Sequence, residues 1–266
     1  MPLLADVVDL LNRWYPPATA HSFDAVGLVA GDPSIEVARV MFAVDPTIEV
    51  AREAVAWDAD LLVVHHPLFL TPVSSVAATT PKGRTLHTLV TGGCALFTAH
   101  TNADQAEGGV SESLALVLGL RDLAPLQPAE AGTTTGIGRV GTIDETTLER
   151  FAAHVAQVLP PTAHGVRVAG SADRPVRRVA VCGGAGDLLL DELVGSDVDV
   201  FVTSDLRHHR AGEFLEYAGP ALVDVAHWAA EWTWLPVVED RMRAAVGARV
   251  ETRVSTLCTD PWSFRY

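Results

Sequence analysis

Short runs of β-branched residues alternate with stretches of helical period along the first half of this chain, and that alternation restricts its fold more than any other feature. VARVMFAVD (37–45) predicts a strand, TIEVAREAVAWDA (47–59) a helix and LLVVHH (61–66) the next strand. GRTLHTLVTGG (83–93) follows as a helix ended by glycine, CALFTAH (94–100) as a strand and GGVSESLALVLGL (108–120) as a helix. A βαβαβα order requires crossover connections, so the strands are at least partly parallel and their carboxyl ends should carry the chemistry.

The Pro-, Gly- and Thr-rich segment 125–138 reads as a linker between a lobe at 1–124 and a second at 139–266. Beyond it, strands at 139–143, 176–182, 198–204 and 221–226 alternate with helices at 146–160, 187–195, 209–219 and 228–247, the last in spite of Pro236. The expected fold class is α/β: two similar α/β lobes with mixed, partly parallel sheets flanked by helices.

A chain of 266 residues can bury a large core without disulfides, and its three cysteines are odd in number and widely spaced. A reducing cytoplasm is the expected location. No run of about 18 apolar residues escapes a charge, so no membrane span is expected. The formal net charge is −14, with Lys82 the single lysine among 19 basic residues. That balance disfavours nucleic acid as a partner, because tracking a phosphate backbone needs a broad cationic face.

Ten histidines are more telling, since several stand in pairs or beside carboxylates at predicted strand ends. His65 and His66 follow LLVV, His100 and Asp104 follow CALFTA, and His227 follows ALVDVA, with Glu231 four residues on and on the same helical face. Pro67 turns the chain, so two neighbouring imidazoles can diverge toward two metals about 3.5–4 Å apart, with Asp104 or Glu231 as a bridge. Such nitrogen and oxygen donors suit two divalent ions per chain drawn from Zn, Mn, Fe, Co or Ni. His100 is a candidate for proton transfer or for tuning a ligand. Arg207, His208 and His209, in TSDLRHH, are candidates for binding substrate, with Asp205 beside them. GGAGD (183–187) could present N–H groups to an anion, but a tight strand-to-helix turn is the favoured reading.

The series FDAVGLVAGDP, MFAVDPT, ADLLVVHHPLF, AHTNAD, GIGRVG, VAVCGGAGD, TSDLRHH and DVAHWAAE resembles the dinuclear metal-centre family of GTP cyclohydrolase I type 2 homologues, the Nif-3-like family. The likeness runs from about residue 5 to residue 260, in the short form that lacks an inserted domain. It implies His65, His66, Asp104, His227 and Glu231 as the metal ligands and a ring-shaped homohexamer as the assembly. Ala25 stands where the family often has asparagine, which puts the role of that loop in question.

Hydrolysis of a small-molecule substrate is the expected activity, with GTP ring opening implied by the family name. A metal-stabilised scaffold without catalysis is the rival. Nucleotide or nucleic-acid phosphoester cleavage is a weaker third, requiring a wall made locally basic by Arg139, Arg207 or Arg210.

Overall fold

The computed structural model describes residues 1–217 and 219–266. The chain forms two compact units, one of residues 1–106 and 235–259, the other of 107–234 and 260–266.

The first unit begins α1 (Leu4–Trp14), β1 (Gly27–Ala30), β2 (Arg39–Ala43), α2 (Ile48–Ala56), β3 (Leu61–Val64), α3 (Pro81–Thr91), β4 (Ala95–Thr98) and α4 (Thr101–Gln105). The second holds α5 (Val110–Val117), β5 (Arg121–Ala124), β6 (Gln127–Pro128), β7 (Gly136–Ile137), β8 (Arg139–Thr147), α6 (Leu148–Val158), β9 (Val166–Ala169), β10 (Pro175–Ala185), α7 (Leu190–Leu193), β11 (Val200–Ser204), α8 (His208–Glu216), β12 (Ala221–Val225) and α9 (His227–Trp232). After α9 comes α10 (Trp234–Val246), which carries the chain back to the first unit, where β13 (Glu251–Val254) ends it.

The first sheet has the order β1-β4-β3-β2-β13, parallel throughout except for the antiparallel edge strand β1. Its inner strands β3 and β4 are buried at every position, as parallel strands covered on both faces must be, which is why LLVV and ALFT show no polar alternation. The second sheet runs β5-β8-β10-β11-β12-β9, with β10, β11 and β12 parallel and antiparallel strands outside them. Both sheets are therefore mixed and partly parallel, as expected.

The helices start where the sequence supplies caps. Thr47 accepts from Val50 N (3.2 Å) at α2, and Thr80 accepts from Gly83 N (3.0 Å) at α3, where Pro81 occupies the first helical position and needs no acceptor. Pro236 is the third residue of α10, also in the first turn, so it does not break that helix. The break lies earlier, at Thr233, whose hydroxyl donates to Ala230 O (2.7 Å) and ends α9.

Two boundaries differ from the expected lobes at 1–124 and 139–266. Residues 235–259 join the first unit because ETRV pairs in parallel with β2, and 125–138 is no free linker but contains the β6–β7 pair within the second unit. Arg139, offered above as a cavity-wall cation, is buried and donates to Gly136 O and Gly138 O (both 2.8 Å) with Glu112 at 3.4 Å. Burial pushes its guanidinium pKa down, partly offset by Glu112. No helix among the described residues is long and apolar enough to cross a membrane.

All three cysteines are free, Cys94 and Cys182 buried and Cys258 exposed. Burial, reinforced by nearby Asp60, pushes the Cys94 thiol up to about 12. A thiol reagent at neutral pH should therefore label one cysteine per native chain and three after denaturation; rapid labelling of Cys94 in the native protein would contradict this packing.

Candidate metal centre

In the first unit the carboxyl ends of three neighbouring parallel strands deliver the polar residues. Ala43, Val64 and Thr98 end β2, β3 and β4 in register, so Asp45, the pair His65 and His66, and His100 emerge at one sheet edge. The chain bends as it leaves β3: His65 N and His66 N both donate to Val44 O, at 3.1 and 2.9 Å. The two rings are inclined to each other by 47°. Their centroids lie 5.0 Å apart, with His100 at 5.1 Å from His65 and 5.6 Å from His66. The three imidazoles place donor atoms within 4.8 Å of one another, a spacing one metal ion can bridge. Asp104, one turn beyond His100 on α4, brings Oδ1 to 3.6 Å from His65 Nε2.

Each ring is oriented through its other nitrogen. His65 Nδ1 donates to Ala99 O (2.9 Å), and a carbonyl can only accept, so Nδ1 carries a proton and the lone pair of the neutral ring is the one at Nε2. His66 Nδ1 donates to Asp45 Oδ1 (2.7 Å), while Asp45 Oδ2 accepts from the Thr259 hydroxyl. His100 Nδ1 donates to Asp24 Oδ1 (2.9 Å), and Asp24 Oδ2 takes Thr101 N (3.0 Å) and Thr101 Oγ1 (2.5 Å). Burial alone would raise the Asp24 carboxyl, but the hydrogen bonds from Thr101 and His100 prevail and hold it below the usual range. Asn102 completes the corner by accepting from His100 N (2.9 Å) and donating to Tyr15 O (2.8 Å).

The second unit repeats this construction. β10, β11 and β12 end in register at Ala185, Ser204 and Val225, and the residues at their ends include Gly184, Asp205 and His227. His227 Nδ1 donates to Asp205 Oδ2 (2.7 Å), which holds the Asp205 carboxyl below its usual range, and His227 Nε2 lies 2.8 Å from Glu231 Oε1 across one turn of α9. Asp205 adopts a left-handed backbone (φ 58°), which aspartate tolerates better than most residues.

GGAGD is a packing turn, as the favoured reading had it. A methyl group on Gly184 (φ +69°) would stand 2.7 Å from Glu231 Oε1 and 3.2 Å from His227 Nε2, so only glycine leaves room for this donor pair. Thr203 Oγ1 stitches the turn, donating to Gly184 O (3.0 Å) and accepting from Gly186 N (2.9 Å).

The remaining candidates stand apart from these clusters. Arg207 is exposed and pairs with Asp187 (2.7 Å), Arg210 with Asp191 (3.2 Å), and His208 and His209 are exposed at the start of α8. The orienting partners Asp24 and Asp45 were not singled out from the sequence, although FDAVGL and MFAVDPT contain them. Asp24 also accepts from Ala25 N (2.7 Å), so this loop acts through the aspartate whatever the side chain at Ala25.

This is an α/β protein whose carboxylate-oriented histidines at strand ends could hold a metal ion, and comparison with known proteins assigns the lineage. The chain belongs to the Duf34/NIF3 (NGG1p interacting factor 3) family, whose model matches residues 2–261. A Streptomyces coelicolor relative named GTP cyclohydrolase 1 type 2 homolog is 46% identical over 269 residues, covering 99% of this chain and 94% of the relative. A Mycobacterium tuberculosis relative of the same name is 36% identical over 367 residues, covering 98% and 96%; the alignment exceeds this chain's length, so that protein holds sequence this one lacks. Among solved structures, a Bacillus cereus protein related to NIF3 superposes with a TM-score of 0.89 at 25% identity, covering 99% of each chain. A Staphylococcus aureus hypothetical protein gives 0.89 at 28%, covering 100% of this chain and 99% of that one.

These contacts predict that Asp45→Ala, which frees the His66 ring, and Gly184→Ala, which crowds Glu231, each weaken metal binding about 10- to 100-fold. Competition with a chromophoric chelator measures the change. Unaltered affinity in both variants, with a native melting curve, would contradict the assigned geometry.

Proposed function

We propose that this protein is a metal-dependent hydrolase of small molecules, holding divalent ions on His65, His66 and Asp104 in one unit and His227 and Glu231 in the other. The observation that carries the reading is the shared orientation of four imidazoles, His65, His66, His100 and His227, whose Nδ1 atoms are committed to a carbonyl or carboxylate. That arrangement leaves Nε2 as the ligating atom, and the mix of imidazole and carboxylate donors fits Zn, Mn, Fe, Co or Ni. The family's motif order supports the further reading that the two donor sets serve one dinuclear centre.

Divalent ions bound there would supply Lewis acidity toward water and toward a carbonyl, amidine or phosphoryl oxygen. The chain's own residues do the rest. Asp24, Asp45 and Asp205 fix their rings in direction through Nδ1 and point Nε2 away from the acceptor, and the full burial of His65 keeps bulk water from its ring. His100, held by Asp24 beside His65 and His66, is placed either to ligate or to take a proton at Nε2. The names of the relatives favour opening of a cyclic amide or amidine of the GTP type as the reaction to try first. Phosphoester cleavage on a wall of Arg139, Arg207 and Arg210 has less support, because each of these arginines is engaged by an acidic partner. A homohexameric ring and a cytoplasmic location belong to this proposal on the strength of the resemblance.

Metal analysis of protein purified without added metal should give about two ions per chain, with loss in both His66→Ala and His227→Ala. Turnover in a screen of cyclic amides, nucleotides and phosphodiesters should vanish in His66→Ala. No bound metal after reconstitution, or turnover unchanged in that variant, would overturn the hydrolase reading. If chelation dissolves the assembly and no substrate is ever consumed, the metal-stabilised scaffold replaces it.

A further inference from the structure

A cavity of about 430 Å³ in the first unit borders His66 and Asp45 on one side and the first turns of α2 and α3 on the other. Pro46, Ile48 and Leu68 give it apolar walls, while Lys82 and Arg84 bring two cations to its edge. The volume lies in the range of small-ligand pockets, well above what a single ion needs.

Two cations bordering one cavity distinguish this part of the chain. Lys82 is its only lysine, and neither Lys82 nor Arg84 has an acidic partner within 4 Å among the described residues, whereas Arg39, Arg121, Arg167, Arg178, Arg207 and Arg210 all do. Two carboxylates also line the cavity. Asp45 has both oxygens engaged, by His66 Nδ1 and the Thr259 hydroxyl, and Glu49 is an exposed residue of the first turn of α2. Two cations thus face one uncommitted carboxylate, and the positive ends of two helices of 9 and 11 residues add to their side of the balance.

We propose that this cavity is the substrate pocket of the metal site and that it selects a small molecule with an apolar body and a phosphate group. Lys82 and Arg84 bind the phosphate, the proline and aliphatic walls cover the body, and the reacting group is left toward His66. The proposal rests on the hydrolase reading for its link to catalysis, but the pocket's ligand preference stands on its own residues. It also reconciles a strongly acidic protein with an anionic substrate: the cations are concentrated at one small pocket instead of spread across a face.

The test is calorimetric titration of chelator-treated protein with phenyl phosphate, with inorganic phosphate and phenol as controls. Metal-free protein keeps phosphate from binding through an ion. Phenyl phosphate should bind more tightly than either control, and the Lys82→Gln/Arg84→Gln variant should bind it about tenfold or more weakly, since it loses two charge-assisted hydrogen bonds. Lys82→Arg/Arg84→Lys should retain binding. Both positions are exposed, and melting curves and metal content of the variants should match wild type. Equal affinity in the Gln variant, or no preference for phenyl phosphate over phenol, overturns the pocket assignment. Lysine- and arginine-dependent binding in a protein that takes up no metal would instead keep the pocket and discard the hydrolase.

Discussion

The hydrogen bond that each candidate imidazole donates through Nδ1 governs the site. An unconstrained histidine has two tautomers and a freely turning ring, and a ligand set built from such groups would have to order them when the metal binds. Here the acceptors are a backbone carbonyl for His65 and the carboxylates of Asp45, Asp24 and Asp205 for His66, His100 and His227. They stand where they do because parallel strands end in register, so that residues one or two beyond each strand share an edge. Packing of the all-buried strands β3 and β4 therefore sets the positions of His65, His66 and His100, and a fault in either strand would reach these rings through those hydrogen bonds.

Much of this was legible in the amino-acid order, for reasons that can be named. Parallel strands covered on both faces have to be apolar without alternation, so LLVV and ALFT announce both their structure and the edge at which HH and AHTNAD begin. The i,i+4 spacing of His227 and Glu231 needs only one helical turn to meet. Other features leave no such trace. A carbonyl acceptor such as Ala99 O has no side-chain signature, and Asp24 lies 76 positions from the His100 it orients. ETRV is too short and too exposed to declare which strand it will join, so the return of 235–259 to the first unit could not be read from it. The segment 125–138 has the composition of a linker because tight pairing around Gly136, at φ 152°, asks for the same small residues that a flexible connection uses.

Charge organises the surface in the same economical way. Several arginines, among them Arg39, Arg121, Arg178 and Arg207, are tied to neighbouring carboxylates, and Arg139 is enclosed beside Glu112. The cations beside His66 border a cavity through which a small anion could approach the side chains at this sheet edge of the first unit. The proposed chemistry on small molecules draws on ring orientation in the first unit and on the charge of this cavity.

The central claim is that the histidines are preset for metal through their Nδ1 protons before any metal arrives. Two-bond ¹H–¹⁵N correlation spectra of metal-free protein at neutral to mildly alkaline pH, assigned with single histidine substitutions, report the tautomer of each ring directly. The account predicts a proton on Nδ1 of His65, His66, His100 and His227 alike, with Nε2 bare at His65, His66 and His100, in contrast to the exposed His208 and His209. Nε2–H tautomers at the four site histidines would contradict it.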